Sequence, residues 1–345
     1  MRKQYTAVGR VMPVLRFWWM CLCCLAVLQA QTLPDYRFYY RGTIDGTFAI
    51  QMDLTVTGTK ITGSYYYEKT GLPLTLKGEW RRADHRLLLR ELDDRQQQTG
   101  MFDCAFDPAT PNLEGTWRSA DGAKAFSTRL VRVATYQWVD TTGHLVEARA
   151  MYPRFTSPDP MTEQLSRAVE DSALTAFRRF VQEAKEYASI DRELIGAPWY
   201  LSYECEIRYY SPNLVSMLIT EHTFTGGAHG NVEFSALNRV WQNDAWKELR
   251  LGDLFRQNSG WAIRLGDLVL EDLRRQQAAW VMDGTVHQLA EKDLGVFTIT
   301  PRGIEFAFAP YLMGPYAQGV FFVTVPYADV RDLLNPRGVA IRFVQ

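Results

Sequence analysis

The chain has 345 residues, 47% hydrophobic and 22% charged, with 38 basic residues against 39 acidic ones. That length suffices for about two domains, each with its own core. The near-neutral balance, with no basic run, excludes nucleic acid as a natural partner, and five cysteines, three of them before residue 25, are too few for a disulfide framework.

Arg2, Lys3, Arg10 and Arg16 precede an uncharged run, Phe17 to Leu28, which closes on Gln29-Ala30-Gln31. A basic head, an apolar middle and a small-residue exit are the parts of a secretory signal peptide, here residues 1–30. The apolar run falls short of the roughly 20 residues that span a bilayer. Cys23 and Cys24 follow Leu22 and Cys23 rather than a small residue, which argues against lipid attachment. The expectation is export, to the periplasm or beyond, as a soluble protein with no stable membrane span after cleavage. The remaining chain carries Cys104 and Cys205, read as two buried thiols.

From 33 to 133 the chain reads as an all-β domain. Phe48, Ile50, Met52, Leu54 and Val56 alternate with Ala49, Gln51, Asp53 and Thr55. That period of two puts one face in a core and the other in water. Turn signals such as Asp45-Gly46, Thr70-Gly71 and Asp121-Gly122 separate about eight strands, at 36–44, 47–57, 60–68, 73–81, 85–92, 100–106, 112–118 and 124–133. The short spacers predict an antiparallel meander. Closing it into a barrel removes its two exposed edges. A Gly-x-aromatic unit recurs at Gly63, Gly78 and Gly115, where a missing side chain permits sharp curvature. Tyr65 and Tyr67 fall on one face and Tyr66 on the other, either as packing or as a surface for a sugar ring.

From 134 to 345 the pattern is α+β, with Thr141-Thr142-Gly143 marking the joint. A strand over 145–155 leads to Asp159, a helix cap, and Pro160 in the first turn. Met161, Leu165, Val169, Ala173, Phe177, Phe180, Val181 and Ala184 recur at helical spacing, giving a helix to about Tyr187. Trp199, Leu201, Tyr203, Cys205, Ile207 and Tyr209 then alternate with polar residues in a strand, and Ser211-Pro212-Asn213 turns the chain into a second strand, 214–224. A further strand, a helix over 260–279, paired strands near 295–309, a strand at 319–326 and a short helix at 327–334 complete the half.

The run Thr225-Gly226-Gly227-Ala228-His229-Gly230-Asn231 is followed in order by Leu251-Gly252-Asp253-Leu254-Phe255, Phe308-Ala309-Pro310-Tyr311, Gly314-Pro315-Tyr316-Ala317-Gln318-Gly319 and Val325-Pro326-Tyr327. Over about 134–335 this set resembles the extracytoplasmic C-terminal domain of RsiV-type anti-sigma factors and PdaC-type peptidoglycan deacetylases. The resemblance implies a non-catalytic, envelope-facing module, which in the anti-sigma branch senses lysozyme. The chain departs from both parents in lacking a sigma-binding segment and a deacetylase domain with metal-binding histidines. The β domain lies outside the match.

The glycines of the 225–231 run predict a tight irregular turn with His229 at its tip. That imidazole is either a ligand contact or a tie that secures the loop through backbone hydrogen bonds. His222 and His229 have only Glu221 and Glu233 nearby, short of a zinc ligand set. Glu204 and Glu206 stand about 6.5–7 Å apart on one strand face, a spacing that inverting glycosidases use. Arg208 on the same face reads instead as a solvated charge ladder. With no Gly-x-Ser-x-Gly and no His-Glu-x-x-His, the sequence predicts no enzyme, no catalytic residues, no cofactor and no metal. The expected function is envelope binding of a lysozyme-like protein or of peptidoglycan glycan. The candidate contacts are His229, Gly226, Gly227, Asn231, Tyr311 and Tyr316. A wall-directed hydrolase and small-molecule or lipid carriage in the barrel are the alternatives.

Overall fold

The computed structural model describes residues 33–156, 160–190 and 197–344. The expected signal peptide and the Asp159 cap lie outside the described residues.

Eight antiparallel strands come first: β1 (Tyr36–Ile44), β2 (Phe48–Thr57), β3 (Lys60–Tyr67), β4 (Pro73–Arg81), β5 (Arg86–Leu92), β6 (Gln98–Ala105), β7 (Asn112–Ser119) and β8 (Ala125–Thr142). Each pairs with the next, and β1 pairs with β8, closing the barrel. The alternating residues fill it: Ile50, Met52, Leu54 and Val56 of β2 are buried with Phe38, Tyr40, Leu76, Leu89, Phe102 and Leu130. The three repeated glycines sit where strands come closest. A Cβ on Gly63 would collide with the Asp53 carbonyl, on Gly78 with the Leu88 carbonyl, and on Gly115 with the Asp103 carbonyl.

The second half continues the same sheet. The sequence boundary at 133/134 falls inside β8, whose early residues pair with β1 and β7 and whose later residues pair with β9 (Val146–Phe155). Thr141 and Thr142 are paired with Ala148 and Glu147, so the anticipated joint is the end of a hairpin. Helix α1 (Pro160–Ile190) crosses over to β10 (Trp199–Ser211), which lies parallel to β9. β11 (Leu214–Phe224), β12 (Asn231–Gln242) and β13 (Ala245–Glu248) extend the sheet antiparallel.

This sheet has cores on both faces. Val215, Met217 and Ile219 of β11 pack with Leu165, Val169, Ala173 and Phe180 of α1. On the opposite face lie α2 (Trp261–Arg275), the short α3 (Ala279–Met282) and a second sheet of β14 (Phe297–Ile299), β15 (Gly303–Phe308) and β16 (Phe321–Pro326). The anticipated helix over 260–279 is broken at Gln276–Ala278, with Gln277 in a left-handed conformation at φ 61°. The short helix expected at 327–334 is a single 3-10 turn, Tyr327–Val330. A buried polar bridge joins the two sheets. Ser216 donates to the Asn238 side chain (2.6 Å) and accepts from the Ile299 N–H (2.8 Å), while Asn238 donates to the Phe297 carbonyl (2.8 Å).

Two faces differ from the alternation read in sequence. A bulge in β10 between Ile207 and Tyr209 slips the register. Tyr210, not Tyr209, therefore joins Leu201, Tyr203 and Cys205 in the α1-side core, and Tyr209 turns to the other side. The odd face of β2, expected in water, is covered by β10. Gln51 is 1% exposed, donating to the Tyr210 carbonyl and accepting from the Tyr210 N–H. Both thiols are free and buried, and burial pushes that of Cys104 up to about 12.

Candidate functional site

Two polar clusters stand out. The first is a seam where the barrel wall meets β10. The Arg37 guanidinium donates to both carboxylate oxygens of Asp53 (3.1 and 3.0 Å) and to Glu206 (2.7 Å), and lies 4.4 Å over the Tyr136 ring. Arg208 approaches Glu206 at 3.9 Å and Glu305 at 3.6 Å. The solvated ladder expected at Glu204, Glu206 and Arg208 is thus corrected at Glu206: β10 turns it toward the barrel, where it is a part-buried ion-pair partner of Arg37. Burial raises Asp53 above the usual carboxylate range against the pull of Arg37. At Glu206 burial acts the same way, but Arg37 and Arg208 together hold it below that range. The adjoining cleft, about 280 Å³, also has Tyr66, Arg302 and Glu305 in its walls. Sequence reasoning missed this network because its directly bonded partners are up to 169 residues apart.

The second cluster is on the surface, at the end of the β11–β12 hairpin. Gly226 and Gly227 hold φ values of 102° and 93°, open to glycine and strained for other residues. They carry the chain out to His229, which is exposed and whose Nδ1 lies 2.8 Å from the Gly230 carbonyl. The His229 ring stacks on Tyr316 with centroids 3.7 Å apart and planes 19° apart. Tyr311 flanks both rings, its hydroxyl 3.4 Å from His229 Nε2 and its ring 5.8 Å from Tyr316. Three residues chosen from separate parts of the sequence therefore meet. Asn231 does not join them, since its amide donates to Glu233.

The 309–320 loop that delivers both tyrosines is held firmly. Met313 is buried in the second-half core. Gln318 accepts from the Ala279 N–H (2.9 Å) and donates to the Gln277 carbonyl (3.0 Å). Tyr311 is 52% exposed and sits at φ 67°, a left-handed conformation that is costly for a bulky residue. Leu312, Val320 and Phe322 add exposed apolar surface along the same stretch. Met313 escaped the sequence reading, and Gln318 entered it only as part of the family motif; the Tyr-Leu-Met-Gly-Pro-Tyr run, with two large apolar residues between two tyrosines, was the available signal.

Across the root of this hairpin Glu221 stands opposite Glu233, and burial, with that neighbouring charge, raises Glu221 above the usual range. Among the described residues no group of three or more His, Cys, Asp or Glu side chains is placed to hold a metal ion.

The family matches fall on this half of the chain. Residues 140–232 match the family described as "Deacetylase PdaC", and residues 252–328 match "Protein of unknown function (DUF3298)". The two matches together support a PdaC/DUF3298-type family domain in the second half. These families point to a cell-envelope protein. A curated relative, the peptidoglycan-N-acetylmuramic acid deacetylase PdaC of Bacillus subtilis, is 22% identical over 189 residues, covering 53% of this chain and 38% of that protein. The chain thus aligns with well under half of the relative's length. Solved DUF3298-family structures from Bacteroides fragilis and Pseudomonas aeruginosa are similar at 18% and 17% identity. They cover 61% and 59% of this chain and 97% and 93% of their own, with TM-scores of 0.43 and 0.41. The deacetylase relative corrects one expectation. The reading of this chain as a non-enzyme no longer stands against a homologue named for its catalysis.

Proposed function

We propose that the chain is exported and works at the cell envelope, where its second half recognises the glycan of peptidoglycan through Tyr311, Tyr316 and His229. The observation that carries this reading is Tyr311. It is held half-exposed on a strained backbone beside a stacked His–Tyr pair, on a loop pinned at Met313 and Gln318. Strain of this kind persists where the surrounding structure enforces it, and it concentrates at ligand-binding sites. Flat aromatic faces suit the C–H face of a pyranose ring, and the phenol and imidazole groups at their edges can hydrogen-bond its hydroxyls. A rigid loop also avoids the entropy of ordering side chains on binding. Among the described residues no helix is long and apolar enough to cross a membrane.

A second reading draws on the relative's name: the chain takes part in removing acetyl groups from peptidoglycan. One experiment addresses both. Purified protein is incubated with insoluble peptidoglycan, co-sedimentation is measured, and released acetate is assayed in the supernatant. Glycan recognition predicts co-sedimentation that falls in Tyr311→Ala and Tyr316→Ala. Acetate above the no-enzyme control would establish the second reading. Wild-type protein that stays in the supernatant but is retained by immobilised lysozyme would overturn the glycan reading in favour of a protein partner.

A further inference from the structure

The two ends of the barrel differ. One is closed by aromatic packing. Phe106 is 1% exposed and stands edge-on to Trp80 and Phe38 (centroids 5.4 and 6.2 Å), with Arg132 over the Phe38 ring at 4.7 Å. The other end is open. Between the β1–β2 and β7–β8 hairpins and the β3–β4 loop lies a cavity of about 610 Å³, inside the roughly 300–1,000 Å³ range of small-molecule sites.

Its walls are aromatic. Trp117 and Phe126 stack with centroids 5.9 Å apart and planes at 9°. Phe48 bridges Phe126 at 6.4 Å and Tyr67 at 6.3 Å, completing an arc around the mouth. Phe48 is nevertheless 48% exposed, a large apolar ring left facing water. Behind the arc is a buried carboxylate, Glu91, only 3% exposed. It accepts from the Tyr65 hydroxyl (2.5 Å), the Thr99 hydroxyl (2.5 Å) and the Trp117 indole N–H (2.6 Å). Three donors satisfy Glu91 internally, so its role is to fix Trp117 and Tyr65 rather than to meet a ligand. The charged residues lining the cavity are Lys69 and Lys124, and no carboxylate lines it.

We propose that this mouth binds an amphipathic anion, with an apolar chain or ring inserted among Phe48, Trp117 and Phe126 and an acidic head beside Lys69 and Lys124. The aromatic arc accounts for the apolar body, and Glu91 keeps it from collapsing by clamping the indole. The two lining lysines set the sign of the head group. This site is separate from the His229 surface and stands or falls independently of it.

The test is calorimetric titration of the purified protein with three twelve-carbon amphiphiles below their micelle concentrations: dodecanoate, dodecyltrimethylammonium and dodecyl maltoside. Dodecanoate is expected to bind tightest. Phe48→Ser removes an already exposed ring and leaves the barrel core intact, and should weaken dodecanoate at least about tenfold. Lys124→Glu should weaken dodecanoate about two- to fivefold while leaving dodecyl maltoside unchanged, the size expected of an exposed charge pair. Tighter binding of the cationic amphiphile, no binding of dodecanoate, or affinity indifferent to both substitutions would each overturn the proposal.

Discussion

The seam at Arg37 and the surface stack at His229 contain the kinds of side chain from which active sites are made, and they are built in opposite ways. In the seam every charge has its partner: Arg37 faces Asp53 and Glu206, and the guanidinium is roofed by Tyr136. It binds the barrel to β10, and its central pair is mostly buried, Arg37 12% and Asp53 18% exposed. At the surface, His229 and Tyr311 are exposed, the backbone at Gly226, Gly227 and Tyr311 is in left-handed conformations, and only the loop's roots are buried. Residue type does not separate a structural cluster from a functional one. What separates them is whether the side chains are packed between elements of the fold or left facing solvent.

The sharpest way to break that comparison is Arg37→Ala. It leaves Asp53 and Glu206 facing each other without their shared cation. Removing one member of a buried pair costs about 3–5 kcal/mol. Denaturant melts should show that loss, while the folded fraction should retain peptidoglycan as wild type does. Lost binding in folded protein would mean that the seam belongs to the site.

Gly227→Val probes the other region through its backbone. A Cβ there would meet nothing within 4 Å, so crowding plays no part. The valine must instead hold φ near 93°, which should destabilise the protein by about 1–3 kcal/mol. An unchanged melting temperature would show that the turn relaxes without penalty.

Much of the barrel was legible in the sequence because alternation and turn residues are local signals. Strands β1 to β7 lie within two residues of their expected bounds, and the recurrent glycines mark strand crowding. What covers the barrel's outer face was not legible, since Gln51 and Asp53 look like solvent-facing residues until β10 arrives from 150 residues away. The bulge at Ile207 was equally hidden: a single extra residue exchanges the faces of Tyr209 and Tyr210, and nothing in the local pattern announces it. At the surface site, His229, Tyr311 and Tyr316 came from a family resemblance rather than from periodicity, and folding joined them. Asn231 came from the same resemblance and points elsewhere.

Glu206→Gln tests the electrostatics of the seam at smaller amplitude. The folded protein holds Glu206 below its ordinary value, because Arg37 and Arg208 outweigh burial. Its contribution is therefore complete above the unfolded carboxylate value, about 4.3, and is lost as pH falls through the lowered folded value. Asp53, raised by burial, runs the other way: its contribution is present at low pH and is lost as pH rises through its folded value. Wild type should exceed the glutamine variant in stability at pH 7, and the two should converge once pH falls below the lowered folded value of Glu206. A gap that widens on acidification would show that burial, not Arg37, dominates at Glu206.

His229→Ala should move stability least and function most. The imidazole is exposed, and in the fold it makes one contact with a neighbouring carbonyl and a face-to-face stack on Tyr316. Losing these should change stability by no more than about 0.5 kcal/mol, as for most exposed positions. The Tyr316 ring would then lose the partner that fixes its plane, and Tyr311 its hydroxyl contact at 3.4 Å. One hydrogen bond from the imidazole to the glycan is worth about 0.5–1.5 kcal/mol, so peptidoglycan affinity should fall up to about tenfold while the melt hardly shifts. The reverse outcome, a lowered melting temperature with full retention on peptidoglycan, would make His229 a loop tie. The contrast with the seam would then vanish, because both clusters would serve only the fold.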